Sequence, residues 1–253
     1  MQNATWWDRL KWQTAVGGHQ RWREARRLKP VTILVGALGG DGGGVLCDWI
    51  VAAAQSQGLG VQATQIPGVA QRTGATTYYL EVMPTPGRRA RQVLALNPAI
   101  GEVDVALATE LLEAGRMIFN GFVTPDRTTL IASTHRVLAI GERTAMGDGS
   151  FDVGRLLRAV KERSKEQILF DMDQAAEESG GVINAVLLGA LAGSGRLPIP
   201  DAAFEAAIRH AGKSVDTNLR GLRLRSRPCP RRARPGGARA SQAPGGGAAA
   251  SRT

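Results

Sequence analysis

The densest chemical signal in the chain is VTILVGALGGDGGGVLCDW, residues 31–49, where Gly36, Gly39, Gly40, Gly42, Gly43 and Gly44 crowd one short stretch. A β-branched run (Val31, Thr32, Ile33, Val35) leads in, and apolar residues at helical spacing (Val45, Leu46, Trp49, Ile50, Ala53) lead out. The loop therefore joins a strand to a helix. Backbone N–H groups in such a loop can cradle a phosphate, because the helix N-terminus carries partial positive charge and glycine permits close approach. Gly39, Gly40, Gly42 and Gly43 are accordingly candidate contacts to a ligand or a partner. Close packing of the helix on its sheet is the competing explanation.

Several other chemistries lack their residues. Gly40 and Gly42 give GxG, but Val45 stands where the dinucleotide fingerprint has its third glycine, and the next strand ends in Gln65 and Ile66 without a ribose-binding acid. No GK[ST] is present. GDG occurs at 40–42 and again at 147–149, yet no two asparagines are adjacent, so thiamine diphosphate is not held by the GDG-and-Asn-Asn device. Cys47 and Cys229 form no CxxC pair, and His19, His135 and His210 form no HxH or HxxxH pair. An internal iron–sulfur cluster, a structural zinc or a catalytic metal is not expected from these ligands.

Among polar candidates, Gln71 and Arg72 in VAQRTG stand out. An arginine between a glycine-rich turn and a strand can clamp an anion bidentately, or it can pin its own loop to backbone carbonyls. Glu110, Glu113 and Arg116 share helical spacing, and Glu113 with Arg116 reads as a solvated pair. His135, at a strand end after IAST, could contact a ligand, though a lone histidine there is usually structural.

Positioning these residues requires alternating strands and helices. Strands are expected at 31–36, 61–66, 77–82, 92–96, 103–108 and 128–134. Helices are expected at 44–57, closed by Gly58; at 109–118, with Thr109 as N-cap; at 151–164, with Leu156, Leu157 and Val160 inward; at 181–195; and at 201–212, from an Asp201 cap to Gly212. In the third strand Tyr78, Leu80 and Val82 share a face. This succession argues for a mostly parallel sheet covered on both faces, an α/β domain in three layers.

With 253 residues and 43% hydrophobic content, the chain can bury a core. No segment approaches about 18 uninterrupted apolar residues and no secretory leader is apparent, so no membrane association and a cytoplasmic location are expected. The formal charge of +10 is concentrated at one end: residues 221–253 hold eight arginines and no acid, leaving 24 basic against 22 acidic residues before them. That tail, rich in Arg, Ala, Gly and Pro, cannot bury enough apolar surface to offset its ordering entropy and is expected to be disordered. Its abruptness suggests a truncated or frame-shifted product; a basic arm for acidic partners is the lesser alternative, and nucleic acid is not expected as a partner. Residues 1–30 carry Trp6, Trp7, Trp12 and Trp22 with seven Lys/Arg, which suits a helical extension lying on its own domain or on a partner. Three segments follow: 1–30, 31–220 and 221–253.

Taken together, GALGGDGGGVL (36–46), PGVAQRTGATTYYLEV (67–82), NPAIGEVDVALATELLEAGR (97–116), TPDRTTLIASTHRVLAIGERTAMGDG (124–149) and SGGVINAVLLGALAG (179–193) resemble the gamma-type domain of the 2-oxoacid:ferredoxin oxidoreductases. The likeness is greatest to the beta subunits of indolepyruvate-type members, and covers roughly residues 31–220. Two positions depart from the family pattern: Asp41 stands where the loop usually has Gln, and Thr73 replaces the first glycine after AQR. A loop carboxylate opposes a phosphate by several tenths to about 1 kcal/mol. The resemblance implies a Rossmann-like three-layer fold and an accessory subunit of a complex that oxidatively decarboxylates a 2-oxoacid, here indolepyruvate or another arylpyruvate, to an acyl-CoA while reducing ferredoxin. It further implies that thiamine diphosphate, Mg and [4Fe-4S] clusters sit on an alpha-type partner subunit, that this chain binds no cofactor alone, and that coenzyme A is a co-substrate, with Arg72 a candidate for its phosphates. A stand-alone nucleotide- or CoA-binding module, an inactive fragment, and a nucleic-acid binder acting through the arginine tail are the alternatives.

Overall fold

Val31–Leu38 forms the central strand β1, and six of its eight residues are buried. Both of its faces are covered, so the strand is apolar on both, Thr32 excepted, rather than alternating. The computed structural model describes residues 29–66, 75–86, 94–135 and 152–225. The remaining elements are α1 (Gly43–Ser56), β2 (Val61–Ile66), β3 (Ala75–Val82), β4 (Val105–Ala108), α2 (Leu111–Phe119), β5 (Thr129–Ser133), α3 (Val153–Arg163), β6 (Glu166–Phe170), α4 (Met172–Ser179), α5 (Ile183–Ser194), α6 (Asp201–Ala211) and α7 (Val215–Arg225).

The six strands run in the order β2-β3-β1-β4-β5-β6. β1, β4, β5 and β6 pair in parallel, while β3 is antiparallel to both β1 and β2. Five strands therefore point one way, and β3 runs against them between two that would otherwise be neighbours. Ile33, Val35, Leu80, Val82, Val105, Leu107 and Ile131 face α1 and α4–α7. Leu34, Tyr79, Ala106, Ala108, Leu130 and Ala132 face α2 and α3. The three-layer α/β architecture expected from the alternation is the one present. Tyr78, Leu80 and Val82 do share a face.

Where the structure departs from the sequence expectations, the cause is local. Helix α2 starts at Leu111 with Glu110, not Thr109, as N-cap. Thr109 is instead used by the sheet: its N–H donates to the Gly36 carbonyl at 3.1 Å and its hydroxyl accepts from the Leu38 N–H at 3.2 Å. Leu157 is 37% exposed, not inward, since a single row through Val160 and Leu156 meets the neighbouring helix. Pro200 is the N-cap of α6, with Asp201 one place inside. Residues 94–96 are not a strand; they cross β2 and β3, where Glu81, Gln62 and Thr64 hydrogen-bond the backbone of Ala95 and Leu96.

The boundary at 221 also moves. Helix α7 continues to Arg225, and Leu222 is buried against α5, where any side chain at Gly189 would overlap the Leu222 carbonyl. The expected disorder beyond that point, the N-terminal extension through residue 28, and the second GDG lie outside the described residues. No helix among the described residues is long and apolar enough to cross a membrane.

Candidate functional site

The chain leaves β1 for α1 on one face of the sheet and leaves β4 for α2 on the other. The carboxyl ends of these adjacent strands thus diverge and open a crevice, the position at which open α/β sheets bind ligands. Its floor is the glycine loop.

The six glycines do different work. Gly40 has φ +103° and Gly42 φ +74°, values that disfavour any side chain. Gly43 is required by proximity, since a Cβ there would meet the Ala37 Cβ at 2.7 Å and the Tyr78 ring at 2.8 Å. Gly44 is loosely held, with the Tyr78 hydroxyl 3.5 Å from where its Cβ would be. Tyr78 comes from β3, opposite Val35, and burial raises its phenol above the ordinary range although the Gly44 backbone hydrogen bond opposes the shift.

Gly42 caps α1 without a side chain, and the first turn of α1 holds no acid. Helix α5 begins the same way, with Val182 as an uncapping N-cap and no acid in its first turn. The two N-termini meet at Asn184, whose Nδ2 donates to the Gly42 carbonyl at 3.2 Å. Asn184 is 4% exposed, and its Oδ1 has no hydrogen-bond partner among the described residues. Two uncapped positive helix ends beside one loop favour an anionic group, with the Asp41 carboxylate of the same loop opposing it. Val45 and Val182, both exposed, add apolar flanks on the two helices.

Gln71 and Arg72 fall outside the described residues. Their connection is anchored at this end of the sheet: β2 ends at Ile66 opposite Thr77, and β3 begins at Ala75 opposite Leu38, the residue before Gly39.

On the α2 side the expected solvated pair is half wrong. Arg116 is exposed, but Glu113 is buried, and their ion pair of 3.2 Å crosses that boundary. The bare face of Gly36 admits Met117, whose Cε would lie 2.7 Å from a Cβ there, and Glu113 packs beside it, its Oε2 at 3.5 Å. Burial raises the Glu113 carboxyl above its ordinary range, against the opposing pull of Arg116. His135 lies at the same end of the sheet: its carbonyl accepts from the Leu111 N–H at 3.1 Å, and its N–H donates to Ser133 Oγ at 3.1 Å. Its Nδ1 is 3.8 Å from Asp173 Oδ2, in a largely exposed pair. Sequence reasoning missed Asn184 and the buried state of Glu113; a solitary polar residue inside the apolar run of α5 was the available signal for the first.

Among the described residues no group of three or more His, Cys, Asp or Glu could hold a metal ion. Cys47 is buried, with desolvation pushing its thiol up to about 12, and it stands as a lone cysteine among the described residues. The site therefore offers backbone donors, helix ends and glycine-permitted proximity, and these residues do not fit a redox cluster.

A family model described as pyruvate ferredoxin/flavodoxin oxidoreductase matches residues 32–224. The chain is 28% identical over 199 residues to indolepyruvate oxidoreductase subunit IorB of Archaeoglobus fulgidus, covering 77% of this chain and 92% of that protein. In fold it is similar to pyruvate oxidoreductase subunit PORC of Thermotoga maritima, with a TM-score of 0.54 at 19% identity over 78% of this chain and 94% of that one. It is similar also to the 2-oxoglutarate:ferredoxin oxidoreductase of Magnetococcus marinus, solved with 2-oxoglutarate, coenzyme A and succinyl-CoA bound. There the TM-score is 0.54 at 18% identity, over 78% of this chain and 30% of that one.

Proposed function

Because the chain belongs to the pyruvate ferredoxin/flavodoxin oxidoreductase family, we propose that it is the gamma-type accessory subunit of a cytoplasmic indolepyruvate, or other arylpyruvate, ferredoxin oxidoreductase. It is a subunit of a 2-oxoacid:ferredoxin oxidoreductase family by that membership. The arylpyruvate preference is supported by the likeness to the Archaeoglobus fulgidus subunit, which extends over nearly all of that protein.

The oxidative decarboxylation and the passage of electrons to ferredoxin would be supplied by thiamine diphosphate, Mg and [4Fe-4S] clusters, which we assign to an alpha-type partner subunit. This chain's part is to shape the complex and to present the crevice at the ends of β1 and β4. The observation that carries the reading is the meeting of two uncapped helix N-termini at Gly42 and Asn184. That arrangement suits a diphosphate, and the structural neighbour from Magnetococcus marinus was solved with coenzyme A. Gly39, Gly40, Gly42 and Gly43, with Gln71 and Arg72 from the adjoining connection, are the proposed contacts to the coenzyme A phosphates.

The test is co-expression with the cluster-bearing partner. Oxoacid-dependent reduction of a viologen dye should appear only with both subunits, and indolepyruvate should be turned over faster than pyruvate. Turnover by the solitary chain would end the assignment; equal rates would end the arylpyruvate preference alone. A second reading, a free-standing CoA-binding module, is favoured by the same two helix ends. Micromolar binding of coenzyme A to the lone chain by calorimetry, without any gain from a partner, would select it.

A further inference from the structure

At the opposite end of the sheet from the glycine loop, two large apolar side chains stand in solvent. Phe119, at the end of α2, is 90% exposed, and Ile100, in the connection before β4, is 75% exposed. They belong to one surface: the Gly101 N–H donates to the Gly121 carbonyl at 3.0 Å, and Ile100 Cγ2 lies over Gly121, two residues beyond Phe119. The platform beneath them is held firmly. Arg127 pairs with both Glu102 and Asp104, its Nε 2.8 Å from Asp104 Oδ1, and Asp104 Oδ2 in turn accepts from the Thr32 N–H at 3.0 Å. Two large apolar side chains this exposed on one ion-paired base make a surface that a partner would cover.

We propose that this surface is covered by the chain's own N-terminal segment, residues 1–28, through its tryptophans. Two observations select that occupant, and neither depends on the family assignment. The first is where the segment joins the domain. Lys29 Nζ lies 4.0 Å from Glu102 Oε2, and Glu102 follows Ile100 by two positions, so the chain enters the domain beside the patch. Trp22 is seven residues before Lys29, a reach of roughly 23 Å when extended. The second is composition: of five tryptophans, four lie within residues 1–28, and Trp49 of the core accounts for the fifth. Covalent attachment supplies an effective concentration on the order of millimolar, so a weak intrinsic affinity suffices to keep the patch covered.

The experiment compares the full-length chain with Ile100→Ser/Phe119→Ser, reading tryptophan emission, acrylamide quenching and tryptic cleavage after Arg21, Arg23, Arg26 and Arg27. Docking predicts that the parent chain is monomeric, that most of its tryptophan fluorescence resists quenching, and that the double variant shifts emission to the red, quenches more and is cut faster. An unchanged circular dichroism spectrum and thermal midpoint establish that the variant is folded. Because the substitutions replace exposed side chains, folding should survive; the more conservative Phe119→Leu provides a second variant, expected to fall between the two. Quenching in the parent chain in which only the buried Trp49 is protected and the other four tryptophans behave as in a free peptide, or protection unchanged in the double variant, overturns the proposal and leaves the patch to a partner subunit. Protection that disappears on dilution together with a dimer overturns it in favour of a second copy.

Discussion

Asn184 Nδ2 donates to the Gly42 carbonyl at 3.2 Å, tying the first turn of α5 to the cap of α1 across 142 positions of sequence. This bond joins the two helix ends, and the buried Oδ1 beside it has no hydrogen-bond partner among the described residues. Replacing Asn184 with Ala should remove about 1 kcal/mol of stability. Denaturant unfolding should show a lower midpoint at unchanged slope. Asn184→Asp, which sets a carboxylate against the Gly42 carbonyl, should cost more than Asn184→Ala and weaken coenzyme A binding in calorimetry.

The glycines should differ sharply in tolerance. Gly42→Ala places a side chain at φ +74° and 2.5 Å from Asn184 Nδ2, and should cost about 2 kcal/mol or more. Gly43→Ala, wedged between Ala37 and Tyr78, should cost about 1–3 kcal/mol. Gly44→Ala makes only ordinary contacts within a helix and should stay within about 1 kcal/mol of the parent. Thermal midpoints of the three variants rank the glycines; equal values would mean that they serve flexibility rather than geometry.

Glu113 predicts a pH dependence. Its folded carboxyl titrates above its unfolded value because of burial, so its contribution to stability is full below the unfolded range and is lost as pH rises through the folded one. Glu113→Gln should abolish that slope. Unfolding free energy measured from the acid range to neutrality should therefore show the variant gaining on the parent as pH rises. The loss of the Arg116 ion pair, whose arginine is exposed, subtracts little.

Cys47 should be inert in the native state. With its thiol at about 12 and its side chain in the core of α1, alkylation at mildly alkaline pH should wait for unfolding. A Cys229→Ser background isolates the reading; rapid labelling there would contradict the packing of α1 on the sheet.

The alternation of strand and helix was legible because β1, α1, β2 and α5 each carry a period or an apolar run long enough to declare itself. The direction of β3 was not, because an antiparallel strand buried on both faces shows the same residues as a parallel one. EQILF (β6) and MDQAAEES (α4) were hidden by polarity: β6 is an edge strand and α4 buries only Met172, Ala176 and Ser179. At the site, the glycine loop announced itself, whereas the burial of Glu113 beside Met117 and Gly36 is a contact with a strand 77 positions away that local spacing cannot reveal. Asn184 lay in plain view, and only the fold shows what it holds.

The reversed strand has a kinetic corollary. β2 and β3 are joined by a short connection and can zip together early, whereas β5 and β6 pair in parallel across a crossover of more than thirty residues through α3. β1, although made before any of them, must slot between β3 and β4 and so joins the antiparallel half of the sheet to the parallel half. Weakening it at Ile33 or Val35 should uncouple those halves and split one cooperative melt into two.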